Sequence, residues 1–161
     1  MELRRARSDE YAAIGRLTVA AYDPFLLGPE DFYRARLADT ATRDAEAEVW
    51  VAAGADESVL GAVTVCPPGS PWREIAHEGE GEFRMLAVAP AAQGRGVGRA
   101  LTGLVIDRAR DDGDRSIVLS SLDLMTTAHR LYESLGFVRA PERDWRPQPD
   151  VSLLVYTLEL R

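Results

Sequence analysis

The pattern of apolar and polar residues predicts strands and helices along the whole chain. Short apolar runs with polar neighbours are typical of strands, whereas apolar residues three or four positions apart mark one face of a helix. In chain order, the pattern predicts a strand at 2–6, a helix from Asp9 to about Ala21, a more polar helix from Pro29 or Glu30 to Leu37, a hairpin of strands at 48–53 and 59–65, a strand at 82–88, a helix from Arg99 to about Arg110, a strand at 116–121, a helix from Thr126 or Thr127, and strands starting at Phe137 and Val151. This order, β-αα-βββ-α-β-α-ββ, predicts a single α/β (α+β) domain over residues 1–161, with a mixed sheet and helices on both faces.

The segment from Glu82 to Arg110 is predicted to form a strand, a turn and a helix, and its residues give the strongest local indication of function. Its turn, Gln93 to Gly98, contains three glycines at alternate positions. Glycine permits positive φ and lets the backbone approach another group closely. The first N–H groups of the following helix have no partner within it, and the helix dipole is positive there, so the turn is suited to an anion. Because Arg95 and Arg99 add positive charge, the segment predicts a phosphate-binding turn.

Two common phosphate-binding motifs do not fit this turn. The dinucleotide motif G-x-G-x-x-G requires a third glycine where this chain has Arg99 or Leu101, depending on the glycine from which it is counted. The P-loop requires lysine where Leu104 stands. A nucleotide-binding protein is therefore disfavoured, and a glycine-rich turn without a ligand stays open as the simplest alternative.

Two motifs together resemble those of the GNAT superfamily of acetyl-CoA-dependent N-acetyltransferases. The turn Gln93 to Gly98 (QGRGVG) fits the family signature Q/R-x-x-G-x-G/A, and the segment Ala128 to Phe137 is similar to the element A-x-x-L-Y-E-x-L-G-F. The resemblance covers residues 82–139 by motif, and the rest of the chain by its order of elements. It implies a GNAT-like single domain with a mixed, mostly antiparallel sheet of about six to seven strands.

The resemblance implies an enzyme that moves acetyl from acetyl-CoA to a primary amine of a small molecule, peptide or protein, by direct attack in a ternary complex. Backbone N–H groups of the turn would bind the pyrophosphate, and the end of the preceding strand would pair with the pantetheine arm. The cofactor-binding residues implied in this way are Leu86, Ala87, Val88, Gln93, Gly94, Arg95, Gly96, Val97, Gly98 and Arg99. In the family a bulge splays this strand from its neighbour, and the sequence alone does not reveal one.

The same resemblance implies two catalytic residues. Glu82 opens the central strand, where some family members place a glutamate that takes the amine proton, and a partly apolar pocket would raise its pKa for that task. A glutamate at a strand start is also often only solvated. Tyr132 matches the family tyrosine that protonates or hydrogen-bonds the departing sulfur. Its position on the apolar face of its helix also fits a core role.

One position departs from the family pattern. An asparagine that bonds the pantetheine often stands three residues before the helix alanine, and Met125 occupies that place here. This removes one expected contact, and a non-catalytic acyl-CoA-binding or regulatory module stays open as the alternative function. Variable segments usually shape the acceptor pocket in this superfamily, and here they contain Tyr22, Phe25, Tyr33, Trp72 and Trp145. The connection 67–81, which holds Glu74, is long enough to be a functional loop.

Composition narrows the function classes further. The 161 residues carry 26 acidic and 19 basic side chains, a net charge of −7. This disfavours a nucleic-acid surface and mildly favours cationic acceptors such as amines. Cys66 is the sole cysteine, so no internal disulfide can form and a reducing compartment is expected. No apolar run reaches the roughly twenty residues of a membrane span and no signal peptide is evident, so a cytoplasmic location without a membrane partner is expected.

The two histidines do not point to a metal site. His77 and His129, together with one cysteine, lack the spacing of a metal-binding motif, so no metal is expected. His129 is predicted on the exposed side of its helix. The oligomeric state is not encoded in any motif, and the resemblance allows a homodimer.

Overall fold

The computed structural model describes residues 1–28 and 30–161, and these form eight strands and five α-helices. The strands are β1 (Glu2–Arg5), β2 (Glu48–Ala53), β3 (Val59–Val65), β4 (Glu80–Val88), β5 (Ser116–Leu122), β6 (Val138–Arg139), β7 (Trp145–Gln148) and β8 (Val151–Glu159). The helices are α1 (Tyr11–Tyr22), α2 (Tyr33–Ala38), α3 (Thr40–Glu46), α4 (Val97–Asp111) and α5 (Thr126–Ser134). The predicted order of elements is confirmed, with two additions and several shifted starts, among them β4 at Glu80 instead of Glu82 and α4 at Val97 instead of Arg99.

The largest shift is that of α2, which begins at Tyr33 and not at Pro29 or Glu30. The carboxylate of Asp31 accepts the backbone N–H of Leu27 at 3.0 Å and that of Tyr33 at 2.9 Å. Such side-chain to backbone bonds favour a turn over a helix, so the helix starts only after them. Pro29 lies outside the described residues.

The two additions are α3 and β7. The polar residues 38–46 carry no apolar stripe, but Asp39 caps α3 by accepting the N–H of Thr42 at 3.2 Å. The segment 140–150 is rich in proline, and β7 nevertheless pairs with β8 from Trp145 to Gln148. The described residues therefore form an eight-stranded sheet, and the prediction of about six to seven strands was too low.

The strands lie in the order β1-β2-β3-β4-β5-β8-β6, with β7 also paired to β8. Within this part of the chain, β4 and β5 are parallel and the other neighbouring pairs are antiparallel. The mixed, mostly antiparallel sheet is thus confirmed. The parallel pair, β4 and β5, lies at the centre of the sheet.

Helices cover both faces of the sheet. On one face α4 and α5 pack over a core that includes Phe83 and Leu101. On the other face α1 packs against β3 and β4, and Ile14 belongs to a buried cluster with Val49 and Val51 of β2. Ile14, Val51 and Leu101 have no exposed surface, and burying each such side chain stabilises the fold by about 1.5–3 kcal/mol.

The first turn of α4 lies very close to the sheet at Gly61 of β3. A Cβ atom at Gly61 would lie 2.7 Å from Cγ1 of Val97 and 2.9 Å from the carbonyl oxygen of Ala87. No larger residue fits there without a shift of backbone. This contact holds the start of α4, and with it the glycine turn, against the end of β4.

Candidate active site

The two central strands separate along their length. β4 pairs with β5 only at Glu80–Glu82, opposite Ser116–Val118. Beyond Glu82, β4 pairs with β3 and β5 pairs with β8. The edges of β4 and β5 that face each other are therefore unpaired there, and a gap opens through the middle of the sheet.

A bulge in β4 lies at the mouth of this gap. Thr64 of β3 pairs with Arg84 and Ala62 pairs with Ala87, so one residue of β3 faces two of β4. Met85, one of those two, has a φ of 55°. Such a bulge bends and twists a strand, and it accounts for the divergence of β4 from β5. The bulge that the family resemblance implied is present, although the sequence alone did not reveal it.

A cavity of about 290 Å³ occupies the gap and is lined from both faces of the sheet. On the α5 face its walls are Leu86, Met125, Ala128 and Tyr132. On the α2 face its walls include Tyr22, Phe25, Tyr33, Glu74 and Arg84. Residues Leu119 to Leu122 of β5 form a third wall. The cavity thus connects the two faces of the sheet at the bulge.

The glycine turn presents unsatisfied N–H groups at the α4 end of β4. Gly94 and Gly96 have φ values of 78° and 79°, and Gly96 caps α4 without a side-chain hydrogen bond. Within the described part of the chain, no backbone N–H from Gly94 to Arg99 donates a hydrogen bond to another protein group. Together with the helix dipole, these groups suit an anion such as a pyrophosphate. The turn therefore fits the cofactor that the resemblance implies.

Glycine is needed at the three positions of the turn for different physical reasons. Cβ atoms at Gly94 and Gly96 would meet nothing within 4 Å, so these positions need glycine for their positive φ. A Cβ atom at Gly98 would lie 3.2 Å from Cδ2 of Leu131 and 3.7 Å from Cγ2 of Val88. Gly98 therefore lets α4, α5 and β4 pack closely around the turn.

The other predicted cofactor-binding residues differ in whether their side chains or only their backbone groups can contact a ligand. Val97 and Ala87 are each 2% exposed, so only their backbone can contact a ligand. The side chains of Gln93 and Arg95 are exposed beside the turn. Arg99 donates to the hydroxyl of Ser134 at 2.6 Å and so joins the start of α4 to α5.

Tyr132 lies on the α5 side of the cavity. The residue is 5% exposed, and its ring packs edge-on against Phe83 with 6.0 Å between the ring centroids. Burial alone raises the pKa of its phenol well above the ordinary value. The phenol is therefore a neutral donor at physiological pH. The predicted core role and the predicted catalytic role are compatible, because the buried ring also lines the cavity.

Glu82 does not line the cavity. It is 2% exposed, and its carboxylate accepts the backbone N–H groups of Glu74, Ile75 and Ala76 at 3.0–3.1 Å. The carboxylate therefore holds the loop that precedes β4. Its role as the base stays a prediction, and the geometry gives it a structural task as well.

A charged pair that the sequence analysis did not assign lies on the α2 side of the cavity. Nε of Arg84 lies 3.0 Å from Oε1 of Glu74. Arg84 also donates to the carbonyl of Trp72 at 3.0 Å and to the hydroxyl of Tyr33 at 3.1 Å. In the sequence, the length of the connection 67–81 was the one indication that Glu74 could have a functional role. Arg84 has no such indication, because its sequence context is that of an ordinary strand residue.

Met125 and His129, at the start of α5 and within it, lie beside the cavity and in the core respectively. Met125 lines the cavity and precedes α5 without capping it through a side-chain hydrogen bond. His129 is 8% exposed, so its prediction as an exposed residue was wrong. Its Nε2 lies 3.1 Å from the hydroxyl of Ser121 and 3.0 Å from the carbonyl of Leu122. Burial lowers the pKa of His129, which favours its neutral form.

Neither a metal centre nor a membrane span is found in the part of the chain that the structure describes. Across residues 1–28 and 30–161, no three His, Cys, Asp or Glu side chains are grouped so that they could hold a metal ion. No helix in those ranges combines the length and apolar character needed to cross a membrane.

Comparison with known proteins gives a consistent result for the fold. An acetyltransferase of the GNAT family from Staphylococcus aureus Mu50 superposes with a TM-score of 0.78 at 14% identity, covering 99% of each chain. The Salmonella typhimurium protein yncA, whose structure contains acetyl-CoA, superposes with a TM-score of 0.69 at 26% identity, covering 100% of this chain and 94% of its own.

A mycothiol acetyltransferase from Cellulomonas flavigena is 33% identical over 117 residues. The match covers 65% of this chain but 32% of that relative, so the chain spans about a third of its length. The sequence profile of the acetyltransferase (GNAT) family matches residues 11–137, which include the gap, the glycine turn and Tyr132. The chain belongs to the acetyltransferase (GNAT) family.

Proposed function

We propose that the chain transfers acetyl from acetyl-CoA to a primary amine. The observation that carries the proposal is the cavity that passes through the sheet between β4 and β5. One of its sides is lined by Leu86, Met125 and Tyr132, and the other is lined by aromatic and charged side chains. Such a passage allows a thioester from one face to meet an amine from the other.

The donor side binds acetyl-CoA through groups that the fold leaves free. N–H groups of Gly94 to Arg99 receive the pyrophosphate, with the exposed side chains of Gln93 and Arg95 beside it. The unpaired edge of β4, at Leu86, Ala87 and Val88, pairs with the amides of the pantetheine arm. Acetyl-CoA supplies the activated acetyl group as a thioester.

Protons move at both sides of the cavity. The acceptor enters as an ammonium and must lose a proton before its nitrogen can attack, and a carboxylate near the acceptor side is the suitable base. The family resemblance assigns that role to Glu82. On the donor side the phenol of Tyr132 donates a proton or a hydrogen bond to the departing sulfur.

The test is thiol release from acetyl-CoA by the purified protein, with 2-phenylethylamine, spermidine, glycine and a lysine-containing peptide as acceptors. We expect release that depends on at least one of these amines, and a product heavier by one acetyl group. Tight binding of acetyl-CoA without release for any acceptor would favour the acyl-CoA-binding module instead. Absence of acetyl-CoA binding would contradict both.

Three further proposals concern the class of acceptor, the location and the oligomeric state. The amine acceptor is a small molecule or a peptide or protein amine, the protein acts in the cytoplasm, and two copies form a homodimer. Sedimentation or light scattering of the purified protein tests the last of these, and a monomer at all concentrations would contradict it.

A further inference from the structure

The loop before β4 is held by two carboxylates of the strand itself. Oε1 of Glu82 accepts the N–H groups of Glu74, Ile75 and Ala76, and Oε2 accepts that of Glu74 a second time. Oε1 of Glu80 accepts the next N–H, that of His77, at 2.8 Å. Four consecutive amides are therefore fixed to the start of β4. Hydrogen bonds of this kind support the loop and help to fix the positions of its side chains.

Within this fixed loop, the side chain of Glu74 points to the cavity. Glu74 lines the cavity that also contains Tyr132, whereas Glu82 does not. The side chain of Glu74 keeps 29% of its surface exposed, so a small molecule can reach its carboxylate. Arg84, with 10% of its side chain exposed, fixes Oε1 of Glu74 at 3.0 Å.

We propose that Glu74 is the catalytic base that accepts the proton of the acceptor ammonium, and that Glu82 is a positioning residue that holds Glu74 at the cavity. The inference rests on the proposed acetyl transfer. It assigns to Glu74 the role that the family resemblance assigned to Glu82, because Glu74 lines the cavity and Glu82 does not. Asp31 also lines the cavity, but each of its carboxylate oxygens already accepts a backbone N–H, that of Leu27 or of Tyr33.

The charges around Glu74 are suited to this role. From β4 it faces Arg84 and the carboxylate of Glu82, and from α2 it faces Arg36 and the hydroxyl of Tyr33, which Arg84 binds. Loss of hydration raises the pKa of Glu74, and the charge of Glu82 adds to this. Arg84 and Arg36 act in the opposite direction and do not cancel the rise. A carboxylate with a raised pKa is a better proton acceptor than an ordinary one.

The proton balance of the reaction is closed by Glu74 and Tyr132. Glu74 takes one proton from the acceptor ammonium, which leaves a neutral amine. The nitrogen forms a bond to the acetyl carbon while the bond from that carbon to sulfur breaks. The sulfur gains one proton from the phenol of Tyr132. The nitrogen gives up its second proton as the amide forms, and this proton converts the phenolate of Tyr132 back to the phenol. Glu74 returns its proton to solvent.

The experiment compares Glu74→Gln, Glu74→Asp, Glu82→Gln and the control Glu78→Gln, which changes an exposed glutamate of the same loop. The pH profile of kcat/KM is measured by thiol release with the amine of the panel above that the unmodified protein uses fastest. Acetyl-CoA affinity is measured by calorimetry. Carbon NMR of protein labelled at the glutamate carboxyl carbons follows the titration of Glu74 without any substrate. Circular dichroism checks that each variant is folded.

We expect Glu74→Gln to lower kcat by about 10²-fold or more, to remove the acidic limb of the profile and to leave acetyl-CoA affinity within about twofold. Glu74→Asp should restore part of the rate and the acidic limb. Glu82→Gln should move that limb to lower pH without removing it, because one negative charge beside Glu74 is lost. The NMR signal missing in Glu74→Gln should titrate at the pH of the limb, and Glu78→Gln should resemble the unmodified protein.

Two results would overturn the inference while acetyl transfer itself stands. The first is an unchanged rate in Glu74→Gln. The second is loss of the acidic limb in Glu82→Gln but not in Glu74→Gln, which would make Glu82 the base. Binding of acetyl-CoA without turnover of any amine by the unmodified protein would instead overturn the proposed function, and this inference with it.

Discussion

Arg143 and Glu80 form a bidentate ion pair, with Nη1 to Oε2 at 2.9 Å and Nη2 to Oε1 at 3.0 Å. Arg143 follows β6, whereas Glu80 is the first residue of β4. Nη2 of Arg143 also donates to the carbonyl of Ile75 at 2.8 Å. The pair therefore ties the C-terminal part of the chain to the loop that carries Glu74, at the point where β4 and β5 are still paired.

This pair should stabilise the fold in a pH-dependent way. Burial acts to raise the pKa of Glu80, but hydrogen bonds from Arg143 and from the N–H of His77 outweigh it and hold the pKa below its usual value. A carboxyl group with a lowered folded-state pKa stabilises the fold above its unfolded pKa, about 4.3, and loses that contribution as pH falls through the folded value.

We therefore expect Arg143→Ala to reduce the free energy of unfolding by about 1–3 kcal/mol at pH 7 and by clearly less near pH 3. Urea denaturation at the two pH values measures this difference. Arg146→Ala, at an exposed arginine of the neighbouring strand, is the control and should have little effect at either pH. An equal loss at pH 7 and pH 3 would show that the ion pair is not its cause.

A negative charge in the glycine turn should impair cofactor binding specifically. Gly96→Asp adds a carboxylate among the free N–H groups and forces a non-glycine residue into a φ of 79°. We expect acetyl-CoA affinity to fall at least about tenfold, or roughly 1.4 kcal/mol. Gly103→Asp makes the same substitution within α4, where a Cβ atom meets nothing within 4 Å, and serves as the matched control. Equal effects of both variants in calorimetry would contradict the assigned site.

The hydroxyl of Tyr132 should matter for turnover and not for folding. Burial raises the pKa of Tyr132 with no contribution from a hydrogen bond within residues 1–28 and 30–161, so we expect Tyr132→Phe to keep the packing of the ring. We expect kcat to fall about 10²-fold with acetyl-CoA affinity retained and the unfolding free energy within about 0.5 kcal/mol. Tyr156→Phe is the control, because that hydroxyl donates to Glu133 at 3.3 Å away from the cavity. Unchanged turnover in Tyr132→Phe would leave Tyr132 with a core role alone.

Met125 stands where the family often has asparagine, and restoring the amide should strengthen binding. Met125 already lines the cavity, so an asparagine there could donate to the pantetheine arm. One added hydrogen bond of about 0.5–1.5 kcal/mol corresponds to a gain of about two- to twelvefold in acetyl-CoA affinity for Met125→Asn. Met125→Leu, which has no donor, should leave the affinity unchanged. A gain of equal size in both variants would argue against the hydrogen bond.

The glycine turn and its flanking elements could be predicted from sequence because their determinants are local. Gly94 and Gly96 adopt positive φ, and the apolar face of α4 recurs with helical spacing, so neighbouring residues carry the whole signal. The short strand β7 and the helix α3 lack such signals. α3 depends on a single cap at Asp39, and β7 on pairing with β8.

The family resemblance implied the bulge, but no local pattern predicted the gap in the sheet or its charged residues, because they depend on contacts between distant segments. The bulge at Met85 results from the register between β3 and β4, and no local pattern of residues marks it. The separation of Glu82 from the cavity depends on the path of the loop that wraps around its carboxylate. The same loop positions Glu74 at the cavity. Glu74 and Glu82 therefore have different surroundings, although no local pattern in the sequence predicts this difference.

A crystal structure of the protein with coenzyme A and a primary amine would test the central claim most directly. We expect pyrophosphate oxygens at about 2.7–3.2 Å from N–H groups of Gly94 to Arg99. We also expect the sulfur beside the hydroxyl of Tyr132, and the amine on the α2 side of the gap next to Glu74. A sulfur atom outside the gap between β4 and β5, or an amine on the same face as the cofactor, would contradict it.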